Sequence, residues 1–364
     1  MPLHEDQSQV DCSEADFVES HLEWSKKQGR ILSGGGKVEE YYTSDRGFPF
    51  EESELPHYHL GRGDTHSAFS KWRGSTAPSP LVVGVWKRPL FVGGWDHTTD
   101  ADETVYNVQT CSLFVDLRVP NARSRTLDKQ ASSIESLTAE QLRLYARQHV
   151  FAGITMLSHE RGQPVCTRHH CIDWNYIGVG RSRPNKWWVE MAEDKRQWKE
   201  YSYATDERGQ HYYFERWESH ERDSCNSPHL AFRKSPQSER DGILVVVGDH
   251  FNYVLGRKFN GKEAPYPNKN TLVDLVDAAI DSGDINTARS YLSIEAGHGR
   301  LSKGWELDLA IPPWNERTAF WERGKVTMHG ESLEDCFLMF ENERWDLFEC
   351  SLESMKDLKQ FLFS

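Results

Sequence analysis

LVVGVWKRPLFVGGWDHTTDADETVYNVQTCSLFVDLRVPN, residues 81–121, holds the pattern that decides the fold. A Gly84-Val85-Trp86 entry precedes a Gly93-Gly94 turn, and a long alternating run, 111–119, follows. In a strand, successive side chains point to opposite faces. Leu113, Val115, Leu117 and Val119 therefore share one face, and Ser112, Phe114, Asp116 and Arg118 share the other. A wall that is apolar on one side and carries a carboxylate and a guanidinium on the other suits a β-barrel with a furnished lumen.

The rest of the chain agrees with a mainly β reading. Its 364 residues allow two domains or one large β domain with extensions. Trp (13), Tyr (13) and Phe (17) are abundant, and flat rings fill sheets and line pockets. The net charge of -13 repels phosphate backbones and anionic bilayers, so neither nucleic acid nor membrane is an expected partner. The seven cysteines (Cys12, Cys111, Cys166, Cys171, Cys225, Cys336 and Cys350) are odd in number and dispersed. Free thiols in a cytoplasmic, reducing setting follow. The opening MPLHEDQSQVDCSEADF is acidic and lacks an apolar core, so no secretory leader is expected, and no run is long enough to span a membrane.

Three segments emerge. Residues 1–75 read as a polar N-terminal extension with one helix at 14–27, and their Arg62-Gly63-Asp64 triplet reads as a chance match. Residues 76–222 form a first β-barrel. Thr138 and Gln141 in it have capping-box spacing ahead of a helix. Residues 223–364 form a second β unit with helices, packed on the first, after a polar Ser/Pro-bearing boundary at 220–240. That unit is expected to hold a hairpin through Gly248-Asp249, a helix over 271–281, a turn at Asn342-Glu343 and a closing helix after Ser351.

The Gly84-Val85-Trp86 entry, with Lys87 and Arg88 after it, resembles the opening motif of the lipocalin and calycin superfamily. Longer strings extend the likeness: the run at 109–120, Phe151-Ala152-Gly153, His169 with Ile172-Asp173, Tyr213-x-Glu215-x-Trp217, Gly248-Asp249-His250-Phe251 and Pro313-Trp314-Asn315-Glu316. Over residues 80–320 the chain is similar to a family of cytosolic calycin-like proteins of bacteria and fungi. It departs from that pattern at Arg168-His169-His170, where a Trp-His-Arg order is expected, and in a longer insert at 181–203. The resemblance implies antiparallel calycin-like barrels, two in succession, with a few peripheral helices. It implies no particular activity, since one fold hosts many functions.

Several groups are candidates for chemistry. Asp116 and Arg118 share the lumen face, where they orient a polar ligand group or form a structural ion pair. His169 and Asp173 lie on one face of a strand, suited to general-base work only if a bulge closes the gap between them; a satisfied structural histidine is the alternative. Alternation puts Cys166, Arg168 and His170 on the opposite face, so this cluster does not converge on a metal, and no metal or cofactor is expected. Tyr213, Glu215 and Trp217 form a stripe that grips a ligand, with Glu215 as acid or base, or that only packs. Phe114, His250 at its glycine turn, Tyr253 and the Gly-flanked His298 complete the candidate ligand contacts.

Dinucleotide fingerprints, nucleophile elbows and zinc-protease helices are missing from the sequence. The expected function is a cofactor-independent enzyme acting on a small, largely apolar organic molecule in a barrel pocket, by isomerase, cyclase or lyase/hydratase chemistry. Asp116, His169, Asp173 and Glu215 are its candidate acids and bases. A non-catalytic carrier with the same pocket and a cytosolic protein-interaction module stand as alternatives. Oligomeric state is not legible in the sequence.

Overall fold

The computed structural model describes residues 80–93, 103–121, 123, 131–174, 185–203, 209, 211, 213–220, 227–234, 240–258, 272–322 and 324–363. Within these, the side chains of Pro80, Met156, Ser158, His169 and Asn185 fall outside the description. The helix expected at 14–27 and the Arg62-Gly63-Asp64 triplet also lie outside the described residues.

The first eight strands follow one another around a closed antiparallel barrel. They are β1 (Gly84–Gly93), β2 (Glu103–Gln109), β3 (Leu113–Pro120), β4 (His149–Glu160), β5 (Gln163–Asp173), β6 (Asn185–Met191), β7 (Gln197–Ser202) and β8 (Tyr213–Ser219). Closure is made by β8 on β1, from Trp86 opposite Ser219 to Gly93 opposite Tyr213. A short 3-10 turn, Pro80–Val82, leads into β1, and the Trp86 indole N–H donates to the Val82 carbonyl at 2.8 Å. The expected cap is present: Thr138 and Gln141 exchange hydrogen bonds and start α1 (Ala139–Tyr145) between β3 and β4.

Eight further strands make a second sheet: β9 (His229–Lys234), β10 (Gly242–Val247), β11 (His250–Leu255), β12 (Glu295–Arg300), β13 (Glu306–Ala310), β14 (Thr327–His329), β15 (Phe337–Phe340) and β16 (Glu343–Cys350). Their order is β13-β12-β11-β10-β9-β16-β15-β14, so the chain grows the sheet outward from β9 in both directions. The molecule is thus mainly β, as expected, with one closed barrel. The second unit is a sheet ending in β13 and β14 rather than the second barrel the resemblance implies. Helices α2 (Leu272–Asp281) and α3 (Ile285–Tyr291) connect β11 to β12, and α4 (Met355–Phe363) closes the described chain. The β15–β16 turn falls one residue earlier than expected, at Glu341 and Asn342, both with positive φ (50° and 66°).

Burial explains why β3 decides the fold. Both of its faces are buried. Leu113, Val115, Leu117 and Val119 face outward into an apolar seam with Ile243, Val245 and Val247 of β10 and with the helices α1 to α3. The opposite face looks into the barrel, where Trp86, Trp187, Trp198 and Trp217 form a separate cluster. A third cluster, around Phe232, Phe251, Trp305 and Trp345, fills the far side of the second sheet and is covered by Leu358 and Leu362 of α4. Among the described residues no helix is long and apolar enough to cross a membrane.

Candidate functional site

Alternation sends the polar residues of several barrel strands into the lumen, and their mutual contacts prove the direction. Arg168 on β5 reaches past β4 to Asp116 on β3 (Nη1–Oδ2 3.4 Å) and donates to Gln109 Oε1 on β2 at 2.7 Å. Arg118 on β3 lies 3.6 Å from Glu215 on β8. Strands that are not neighbours in the sheet touch only across the interior.

Asp116 is fully buried and gripped by two cations. Arg118 donates Nε to Oδ1 at 2.8 Å and Nη2 to Oδ2 at 3.1 Å. Burial alone would raise the Asp116 pKa, but the charge and hydrogen bonds of Arg118, with help from Arg168, hold it below the usual carboxylate value. The Arg168 guanidinium lies 4.1 Å from the Phe114 ring centroid and 5.0 Å from that of Trp187. That dry aromatic packing places it where burial depresses its own pKa. Arg88 on β1 pairs with both Glu215 (3.1 Å) and Glu103 (2.7 Å).

Glu200 is the residue the sequence reading missed. It lies on β7 directly opposite Glu215 on β8 and is buried on the inner face. Both of its hydrogen bonds come from neutral donors, Tyr213 Oη at 2.8 Å and Trp217 Nε1 at 3.2 Å. Arg88, Arg118 and Arg168 already face Asp116, Glu215 and Glu103. Glu200 is a fourth acid among three cations, set opposite a like charge. Burial, reinforced by the Glu215 carboxylate, pushes it up to about 8. Its signal was available: Gln197–Ser202 alternates in burial, which puts Glu200 on the face of Trp198 and beside the Tyr213-Glu215-Trp217 stripe.

The inner wall is not satisfied by its own bonds. Among the described residues, Asn107 Oδ1 and Nδ2, Gln109 Nε2, Glu215 Oε2, Trp187 Nε1 and Trp198 Nε1 are buried without a hydrogen-bond partner. A buried polar atom left unpaired costs about 1–3 kcal/mol, so native interiors hold few of them. These atoms belong to β2, β6, β7 and β8, on opposite sides of the barrel interior.

The histidine segment differs from expectation. The β4–β5 register shifts so that Ala152 pairs with Ile172 while Gly153 pairs with His170, leaving Cys171 as a bulge. The bulge reverses the alternation beyond it, so Asp173 joins the side of His170 rather than that of His169. His170 donates from Nδ1 to Asp173 Oδ2 at 2.6 Å, and its ring stacks on Phe151 at 4.6 Å. The dyad with Asp173 is therefore made by His170. His169 pairs its backbone with Ile154, and its side chain lies outside the described residues.

His250, Tyr253 and His298 are not brought to the lumen. His250 and His298 occupy the seam between barrel and second sheet, where the Tyr106 ring stacks on His298 at 3.9 Å. Asn252 fixes the proton positions there: its Nδ2 donates to the Tyr106 and Val115 carbonyls at 2.9 Å, so its Oδ1 accepts from His298 Nδ1 at 2.8 Å. His298 Nε2 then accepts from His250 Nδ1 at 3.2 Å. Burial, with His250 and His220 nearby, holds His298 well below the ordinary imidazole pKa. Tyr253 points the other way and stacks on Phe320 at 4.1 Å. The residues brought together in the barrel are thus Phe114, Asp116, Arg118, Tyr213, Glu215 and Trp217, with Arg88, Arg168, His170 and Glu200 added.

No family model matches the chain, and no curated protein matches it. Among solved structures it is similar to the uncharacterized protein YLR301w from Saccharomyces cerevisiae, at 14% identity and a TM-score of 0.42, over 74% of this chain and 98% of that one.

Proposed function

We propose that the barrel lumen is the site of a cofactor-independent enzyme of the isomerase, cyclase or lyase/hydratase type, working by proton transfer on a small organic molecule. The observation that carries this reading is the Glu200–Glu215 pair: two carboxyl groups set opposite each other in a buried, aromatic-walled interior, where burial and its neighbour raise the pKa of Glu200. An acid near its own pKa at working pH and a base beside it are what general acid–base catalysis requires. Glu215, with Oε2 uncommitted, is the base, and Glu200 is the acid. The faces of Trp187, Trp198 and Trp217 suit an apolar body, while Asn107 and Gln109 suit a carbonyl or hydroxyl on it. Asp116 with Arg118 and Arg168 hold the wall rigid, and the His170–Asp173 pair is a second acid–base site.

The reading places the protein with calycin-like barrels, on its sequential eight-strand meander and its Gly84-Val85-Trp86 entry. It also places it in the cytoplasm: Cys111, Cys166, Cys171, Cys336 and Cys350 are free thiols, which a reducing compartment keeps reduced. Small ligands are its partners, with neither nucleic acid nor membrane.

The test begins with native mass spectrometry of the full-length protein and a thermal-shift screen of small carbonyl and hydroxyl compounds. Compounds that bind are then followed for conversion. Glu215→Gln is expected to lower turnover by about 10²–10⁴ while binding persists, and Glu200→Gln to abolish the alkaline limb of the pH profile. Binding with no conversion in the wild type would convert the reading to that of a carrier. Absence of any lumen ligand would remove it.

A further inference from the structure

Away from the lumen, three donor side chains from distant parts of the chain meet at the junction of barrel and second sheet. Cys111 lies in the β2–β3 turn, His229 opens β9, and Glu349 is near the end of β16. The β16–β9 register shifts between Leu347 and Glu349, and this irregularity re-aims Glu349 at the turn. Its carboxylate is then fixed by the Cys111 N–H (2.9 Å), the Ser112 N–H (3.0 Å) and the Thr110 hydroxyl (2.7 Å). His229 is set from both ends. Its backbone N–H donates to Ser351 Oγ at 2.8 Å, and its Nδ1 faces the Ser227 carbonyl at 3.4 Å. That carbonyl can only accept, so Nδ1 carries the proton and the Nε2 lone pair points inward.

Nε2 lies 3.6 Å from Cys111 Sγ and 3.6 Å from Glu349 Oε1, and the three donor atoms are all within 4.8 Å of one another. Tetrahedral zinc, with bonds of about 2.0 Å to N or O and 2.3 Å to S, sets its ligands roughly 3.3–3.6 Å apart. We infer that Cys111, His229 and Glu349 form a zinc site whose fourth position faces solvent.

Each feature of the surroundings fits that assignment. The imidazole is oriented through its second nitrogen by a carbonyl, and the carboxylate by backbone amides, which is how metal ligands are held. A thiolate, an imidazole and a carboxylate select zinc over magnesium or calcium. His229 and Glu349 keep 17% and 15% of their side-chain surface exposed, which gives the ion an entry path and room for a water. The ligands lie 118 and 238 residues from Cys111 along the chain, so no local spacing motif could announce them. The site ties a barrel turn to the neighbouring strands β9 and β16 of the second sheet.

The experiment uses the full chain, stripped with a chelator and titrated with Zn(II) by calorimetry and with Co(II) by absorption. Expected are one Zn(II) per chain, a four-coordinate Co(II) spectrum with a thiolate charge-transfer band, and a rise of a few degrees in Tm at excess zinc. Cys111→Ser, nearly isosteric, should remove the charge-transfer band and weaken zinc by at least about tenfold. His229→Gln should weaken it similarly, and Cys350→Ser should leave it unchanged. Circular dichroism on each variant separates ligand loss from misfolding. Lack of stoichiometric binding at micromolar zinc, or undiminished affinity in folded Cys111→Ser, overturns the assignment.

Discussion

Glu200 is held where a carboxylate is hard to ionise, and its proton couples folding to pH. In the unfolded chain its pKa returns to about 4.3, against about 8 in the folded barrel. Between those values the folded state binds more protons than the unfolded one. The stability Glu200 contributes is therefore complete below about pH 4.3 and is lost as pH rises through 8. Urea unfolding between pH 6 and 9 should show wild-type stability falling relative to Glu200→Gln, by at most about 1.4 kcal/mol per pH unit. Parallel profiles for the two proteins would mean that the proton is not held. The sequence exposed Glu215 through its stripe of alternating aromatics but hid Glu200, because a lone Glu among Gln197, Lys199 and Tyr201 reads as one more exposed charge until its hairpin partner is known.

Among the strands, β3 was legible because its alternation is regular and both of its faces meet other elements. The C-terminal end of β5 was not, because a bulge carries no residue signature: Cys171 is displaced by the register of β4, not by its own chemistry. Strand β12 makes the same point with glycine. Gly297 and Gly299 flank His298, and a sequence reader takes them as room for a ligand. The space they leave is filled by the chain itself. A Cβ on Gly299 would collide with the Glu306 carbonyl and come within 2.7 Å of the Phe251 ring, while one on Gly297 would meet chiefly the movable Tyr253 ring at 2.9 Å. A carbonyl in a strand cannot yield as a ring can. Gly299→Ala is expected to destabilise by roughly 1–3 kcal/mol and by more than Gly297→Ala, read from the midpoints of chemical denaturation. Equal midpoints would show that β13 moves freely.

At the scale of the molecule, the seam decides whether barrel and sheet behave as one body. Its apolar part was foreseeable from the outward face of β3, but its polar pins were not, since Asn252 meets carbonyls well over a hundred residues away. Arg257 reaches the Asp173 carbonyl from the second unit, and Arg123 pairs with Glu316 across the same boundary. Asn252→Ala strips two carbonyls and His298 of their partner at once. It should cost about 1–3 kcal/mol and split a single unfolding transition into two, followed by circular dichroism in urea. An unshifted midpoint would assign the cohesion to apolar contact alone. Trp198 and Trp217 stack in the barrel at 5.3 Å and 7°, and Trp217 holds Glu200 by its indole N–H. Two chromophores this close couple their electronic transitions. Ionising the acid, or seating a guest against the rings, alters the ultraviolet dichroism and emission of the pair, so the protein reports its own occupancy optically without any attached dye.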